Sequence, residues 1–338
     1  MSESKYHHLI PKTYLKSWCF SGMSVYSFNK AELSKPVVKN LKNNFGENNY
    51  HSIKAGMPCC TEEDLIKIFE PLKNTKVVLD GKELESLYEY NRYYYDFENW
   101  ELFYPENVRV PKAEVNKIND NIENNKVLDI EKLWNVKYEN GWNSLLQFIE
   151  QKLKGTADQE IDEFYKGKLM KFIVSLNWRS FISNESLRES FSFINTLVDL
   201  KDIEIPFDER NVKRNKTASD EMKHNYLLKL FRSFLNDEGL MYDIAKGYIK
   251  NLTLRLLISS GDIQFITSDN PSFLYKENDR IHHIMPVTPQ ILISVEKDSL
   301  HRGKYCVEHI PDDEVERFNL IIINNADEFV ISRNASVH

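Results

Sequence analysis

The chain has 338 residues, 41% of them hydrophobic and 28% charged, the balance of an ordinary globular protein. Its net charge of -7 excludes a general attraction to phosphate backbones. Its four cysteines, Cys19, Cys59, Cys60 and Cys306, form no CxxC pair and suit a reducing compartment rather than a disulfide scaffold.

Pro11 suits a helix first turn, and Tyr14, Leu15 and Trp18 follow at helical spacing, which predicts a short helix over about 11–19. SVYSFNK then alternates like a strand, with VVKNLKNNFG and NNYHSI as a second strand and its partner. At Thr61 the texture changes. Thr61 is an N-cap candidate with Asp64 three residues on, and Pro71 ends or kinks the helix. Further helices are expected at about 82–98, 112–124, 141–153, 158–183 and 185–199, then from Ser219 to a C-cap at Gly239, and from about 240 to 259. Past Gly261 the runs IQFITSD, IHHIMPV and ILISVEK read as strands, PDDEVERFNLIIINNA as a helix and EFVIS as a last strand. This order predicts an α+β fold in which the terminal segments, 1–60 and 261–338, form a small mixed sheet around a mostly helical 61–260, all in one compact domain. No apolar run reaches the roughly 18 residues of a membrane span and no charged-then-apolar leader opens the chain. The expectation is a cytoplasmic protein without a membrane partner.

HHLIPKTYLKSW carries a family resemblance in His8, Pro11, Tyr14 and Leu15. ENNYHS adds Glu47 and Tyr50, with Asn49 where an aromatic is common, and IFEPL adds Glu70. MKFIVSLNWRS ends in Arg179. FITSDNPSFLY holds Thr267, Ser268, Asp269, Asn270 and Pro271, before Pro286 and Pro289, and the closing helix supplies Asn319. In this order, across nearly the whole chain, the segments resemble a bacterial family catalogued as domain of unknown function 4238. The resemblance implies a setting, single-gene anti-phage defence, and no mechanism.

The motif residues admit two readings. In the first, Glu47 and Asp269 hold a divalent metal, Mg²⁺ or Mn²⁺, that activates water. His8 moves a proton, Asn270 assists, and Arg179 with Ser268 and Tyr50 binds substrate. The chain is then a defence effector cutting RNA or DNA, with a small-nucleotide hydrolase as an alternative. In the second, SDNP is a stabilised turn, His8 an anchor and Arg179 a brace to Glu47, Glu70 or Asp269. The chain is then a non-enzymatic sensor triggered by a phage protein. Glu70 falls at a helix end, where an acid needs a compensating positive charge. The aromatic run YEYNRYYYDFENW suits a packed helix face better than base stacking, and Arg210, Lys213, Arg214 and Lys216 read as a solvated loop. His282 and His283 alternate to opposite faces of a strand. No P-loop, GxGxxG, HExxH or GxSxG motif is present.

Overall fold

A computed structural model describes residues 6–155, 159–181, 203–207, 209–297 and 303–337. The helix expected at 185–199 lies outside these residues. The chain divides into two compact units. The first holds Met1–Asn48, Trp134–Asp199 and Ser233–His338; the second holds Asn49–Leu133 and Leu200–Arg232.

In the first unit the strand Thr253–Ser259 lies inside a six-stranded mixed sheet. It pairs antiparallel with Ile291–Glu296 and parallel with Lys304–Ile310. Beyond Ile291–Glu296 come Arg280–Thr288 and then Phe273–Glu277, joined by a two-residue turn. Asn278 and Asp279 both take positive φ there, the primed-turn geometry that short polar residues tolerate. A four-stranded sheet brings distant segments together: Ser24–Asn29 pairs with Glu32–Asn40 on one side and with Phe329–Ser332 on the other, which in turn pairs with Thr267–Ser268. The helix Asp312–Asn325 buries Val315, Phe318, Ile321 and Ile322 in one core with Phe28, Phe265, Phe273, Ile284 and Leu292.

The second unit is built from the helices Glu62–Ile68, Leu87–Arg92 and Lys112–Asn124, with most of Ala218–Leu235, and a three-stranded sheet of Lys76–Leu79, Lys82–Leu84 and Glu101–Phe103. Thr61 accepts from the Asp64 N–H and Asp64 reaches back to the Thr61 N–H, a capping box. Arg232 is clamped by two carboxylates, Asp64 at 2.7 Å and Asp129 at 2.9 Å.

The fold is α+β, but the mostly helical middle is a misreading. Strands occur throughout 61–260: the three-stranded sheet, Gln159–Asp162 at the edge of the six-stranded sheet, and Thr253–Ser259 well inside it. The short strands Lys82–Leu84 and Glu101–Phe103 give alternation too little length to register. Thr253–Ser259 reads TLRLLIS, which is apolar enough to extend the preceding helix pattern; the helix in fact stops at Asn251.

Candidate functional site

The motif residues of the first unit are held by internal bonds. His8 Nε2 bonds the Leu41 carbonyl at 3.0 Å. Arg179, buried at the end of the helix Lys166–Arg179, donates through Nη1 to Glu139 Oε1 at 2.9 Å and through Nη2 to the His8 carbonyl. Its guanidinium lies over the Trp134 ring, 5.1 Å from the centroid. Glu139 closes a π-helical turn, Asn135–Glu139, whose extra residue per turn shifts which side chains point inward. Arg179 is therefore a brace, with Glu139 in place of the carboxylates expected from sequence.

Asp269 accepts three backbone N–H groups, from Asp327 at 2.8 Å, Glu328 at 2.6 Å and Phe329 at 3.1 Å. Burial pushes its pKa up, and these three donors oppose the shift. Ser268 Oγ accepts from the Asn270 N–H, and Asn270 Nδ2 donates to the Asn325 carbonyl at 2.8 Å. The SDNP corner thus ties the helix Asp312–Asn325 to the entry of the last strand. Glu47 lies on Gly46–Asn48, paired with Tyr6–His8 in the register Glu47↔His7. Gly46 permits that close pairing, since a Cβ there would sit 2.2 Å from the His7 carbonyl oxygen. Among the described residues, neither Glu47 nor Asp269 belongs to a group of three His, Cys, Asp or Glu side chains with converging ligand atoms.

Tyr14 continues the bracing. Its hydroxyl donates to the Pro286 carbonyl at 2.7 Å, so the Thr267 hydroxyl, 2.8 Å away, donates to it. Asn319 accepts from the Ile266 N–H and donates to the Gln264 carbonyl. Glu70 is exposed and opens the 3-10 turn Glu70–Leu72 rather than ending a helix, so no compensating cation is needed.

In the second unit, Tyr50 is buried with its ring edge-on to His224 at 4.6 Å and to His51 at 5.3 Å. Burial, and the nearby His51, push the His224 pKa down to about 3. The same unit contains a cavity of about 800 Å³ whose lining includes Tyr94, Tyr95, Glu123, Arg210, Asn211 and Glu221. Glu221 sits in the first turn of the helix Ala218–Leu235. Its oxygens are shielded from bulk water and make no hydrogen bond of ordinary geometry among the described residues. Amides of Asn211, Val212 and Asn215 lie near enough to lower its pKa, but burial outweighs them and raises it. Glu123 differs: it is exposed and accepts the Tyr94 hydroxyl at 2.9 Å. Tyr95 is 73% exposed as a residue, and its ring rests on Gly56, where a Cβ would come within 2.7 Å of it. Arg210 is oriented by bonds to the Ile205 and Lys213 carbonyls. Two carboxyls in unlike surroundings, an exposed ring and a held guanidinium thus share one cavity.

The family model for a protein of unknown function, DUF4238, matches residues 6–336. The chain belongs to the DUF4238 family. Neither the curated proteins nor the solved structures contain a match to it. No helix among the described residues is long and apolar enough to cross a membrane. The segments that mark this DUF4238 chain in sequence, around Tyr14, Arg179, Thr267 to Asn270 and Asn319, are those knitted into the bracing network of the first unit. The cavity residues Glu123 and Glu221 lie outside every motif. The available signal for them was the aromatic run that contains Tyr94 and Tyr95, and the basic cluster that opens with Arg210.

Proposed function

We propose that this DUF4238 protein is a hydrolase of small nucleotides acting in bacterial anti-phage defence, with the cavity of the second unit as its active site. The defence setting comes from the family resemblance. The reading rests on one observation: a shielded carboxyl, Glu221, shares a cavity with an exposed and hydrogen-bonded one, Glu123. Burial favours the protonated acid at Glu221, which suits it to give a proton to a leaving oxygen. The Tyr94 hydroxyl orients Glu123 at the cavity, where its free oxygen can take a proton from water. Tyr95 offers a face on which a base stacks, and Arg210 offers charge for a phosphate.

The test is turnover of mono-, di- and cyclic nucleotides by the full-length protein, with RNA and DNA alongside, in the presence and absence of Mg²⁺ or Mn²⁺. Glu221→Gln and Glu123→Gln are each expected to slow nucleotide hydrolysis by about 10²-fold or more. Intact nucleotides after incubation with the wild type, or a Glu221→Gln protein as fast as wild type, count against the reading. Cutting of RNA or DNA with nucleotides untouched replaces it with a nuclease.

A further inference from the structure

A second cleft, in the first unit, has a different character. It measures about 720 Å³ and lies beside the hairpin of Phe273–Glu277 and Arg280–Thr288. Its apolar wall comes from Leu252, Leu274, Ile281 and Val295. Leu274 and Ile281 are 54% and 62% exposed, high for large aliphatic side chains.

Its lining holds two acids, Asp279 and Glu296, and two cations, Arg280 and Lys297. Asp279 is paired with Lys276 at 3.1 Å, and Glu296 with His282 at 3.1 Å and Arg255 at 3.5 Å. Each acid of the lining thus has a partner outside it, and Arg255 is shared between Glu296 and Glu308. Arg280 and Lys297, the two cations of the lining, form no ion pair among the described residues. The lining therefore offers two cations, Arg280 and Lys297, beside an apolar wall.

A hydrogen-bonded chain runs to Tyr248 in its lining. Ser272 Oγ donates to the Ile173 carbonyl at 2.8 Å, which uses its only hydrogen. His283 Nε2, 2.8 Å from that oxygen, must therefore donate to it, and the second ring nitrogen becomes the acceptor. The Tyr248 hydroxyl, 3.1 Å from Nδ1, donates there. The phenol then offers the cleft lone pairs and no hydrogen. An anionic group therefore finds no donor in that phenol, whereas Arg280 and Lys297 of the same lining can pair with it.

We propose that this cleft binds a small amphipathic monoanion: an aliphatic or aromatic body against Leu274 and Ile281, with its single negative head on Arg280 and Lys297. The site does not depend on the nucleotide reading of the other unit.

The experiment is calorimetric titration of the full-length protein with octanoate, octanol and octylammonium. Octanoate binds saturably and more tightly than the other two. The double variant Arg280→Ala/Lys297→Ala weakens octanoate by about tenfold or more, while octanol is unaffected. Leu274→Asp weakens both octanoate and octanol. These side chains are at the surface, so the variants keep the wild-type thermal midpoint. The proposal is overturned if octylammonium binds as tightly as octanoate, if the double variant retains wild-type octanoate affinity, or if octanoate shows no saturable binding at millimolar concentration.

Discussion

Arg179 Nη1 and Glu139 Oε1 lie 2.9 Å apart with side chains only 1% and 9% exposed, so neither charge can be removed without stranding the other. Arg179→Met should destabilise the protein by about 3–5 kcal/mol, because an uncompensated carboxylate is left in the interior. The double variant Arg179→Met/Glu139→Leu should recover most of that loss. Urea midpoints of the two variants measure the difference, and a single variant as stable as wild type would show that the pair is not the brace described.

Asp269 makes a second prediction through its three backbone donors. Asp269→Asn replaces one acceptor oxygen by an amide that faces N–H groups, which should cost about 1–3 kcal/mol. The loss should be the same with EDTA as with Mg²⁺, since it concerns a loop clasp and not an ion. A thermal midpoint that falls only in the presence of Mg²⁺ would return Asp269 to metal binding.

Acid should destabilise the protein through two buried imidazoles. Burial pushes the pKa of both His224 and His283 down to about 3, below the usual unfolded value of about 6.5. As pH falls, the unfolded chain takes up these protons first. The stability tied to the neutral rings is therefore complete above about pH 6.5 and is lost progressively toward pH 3, at up to about tenfold in the unfolding constant per pH unit and histidine. Urea unfolding at pH 7 and pH 5 checks this. His283→Asn should flatten the pH dependence while lowering stability at pH 7.

Gly56 governs the rim of the proposed nucleotide site. Its φ is +83°, and its N–H is held by Asn91 Oδ1 at 2.8 Å. Gly56→Ala both strains the backbone and pushes the Tyr95 ring outward. It should raise the KM for nucleotide severalfold with kcat little changed, because the ring binds and does not react. An unchanged KM would remove Tyr95 from the site.

Local chemistry made part of the structure readable. The Thr61–Asp64 capping box and the helices Lys112–Asn124 and Trp142–Leu153 lie where caps and apolar stripes predict them, because both signals are contained within a few residues. The strand Thr253–Ser259 was not readable, since its apolar run fits a helix as well until its neighbours Ile291–Glu296 and Lys304–Ile310 are known. The same holds for side chains. Nothing near Arg179 in sequence points to Glu139, forty positions earlier, and the donors to Asp269 lie about sixty positions later. Glu221 looks like any helix-capping acid; only the cavity gives it a different environment.

The strand Phe329–Ser332 sits between Ser24–Asn29 and Thr267–Ser268. During synthesis, residues near 25 therefore leave the ribosome some three hundred positions ahead of the strand that completes their sheet. The first unit must wait with an open edge until that strand has been made, whereas the segment Asn49–Leu133 meets its own three-stranded sheet much earlier in the chain.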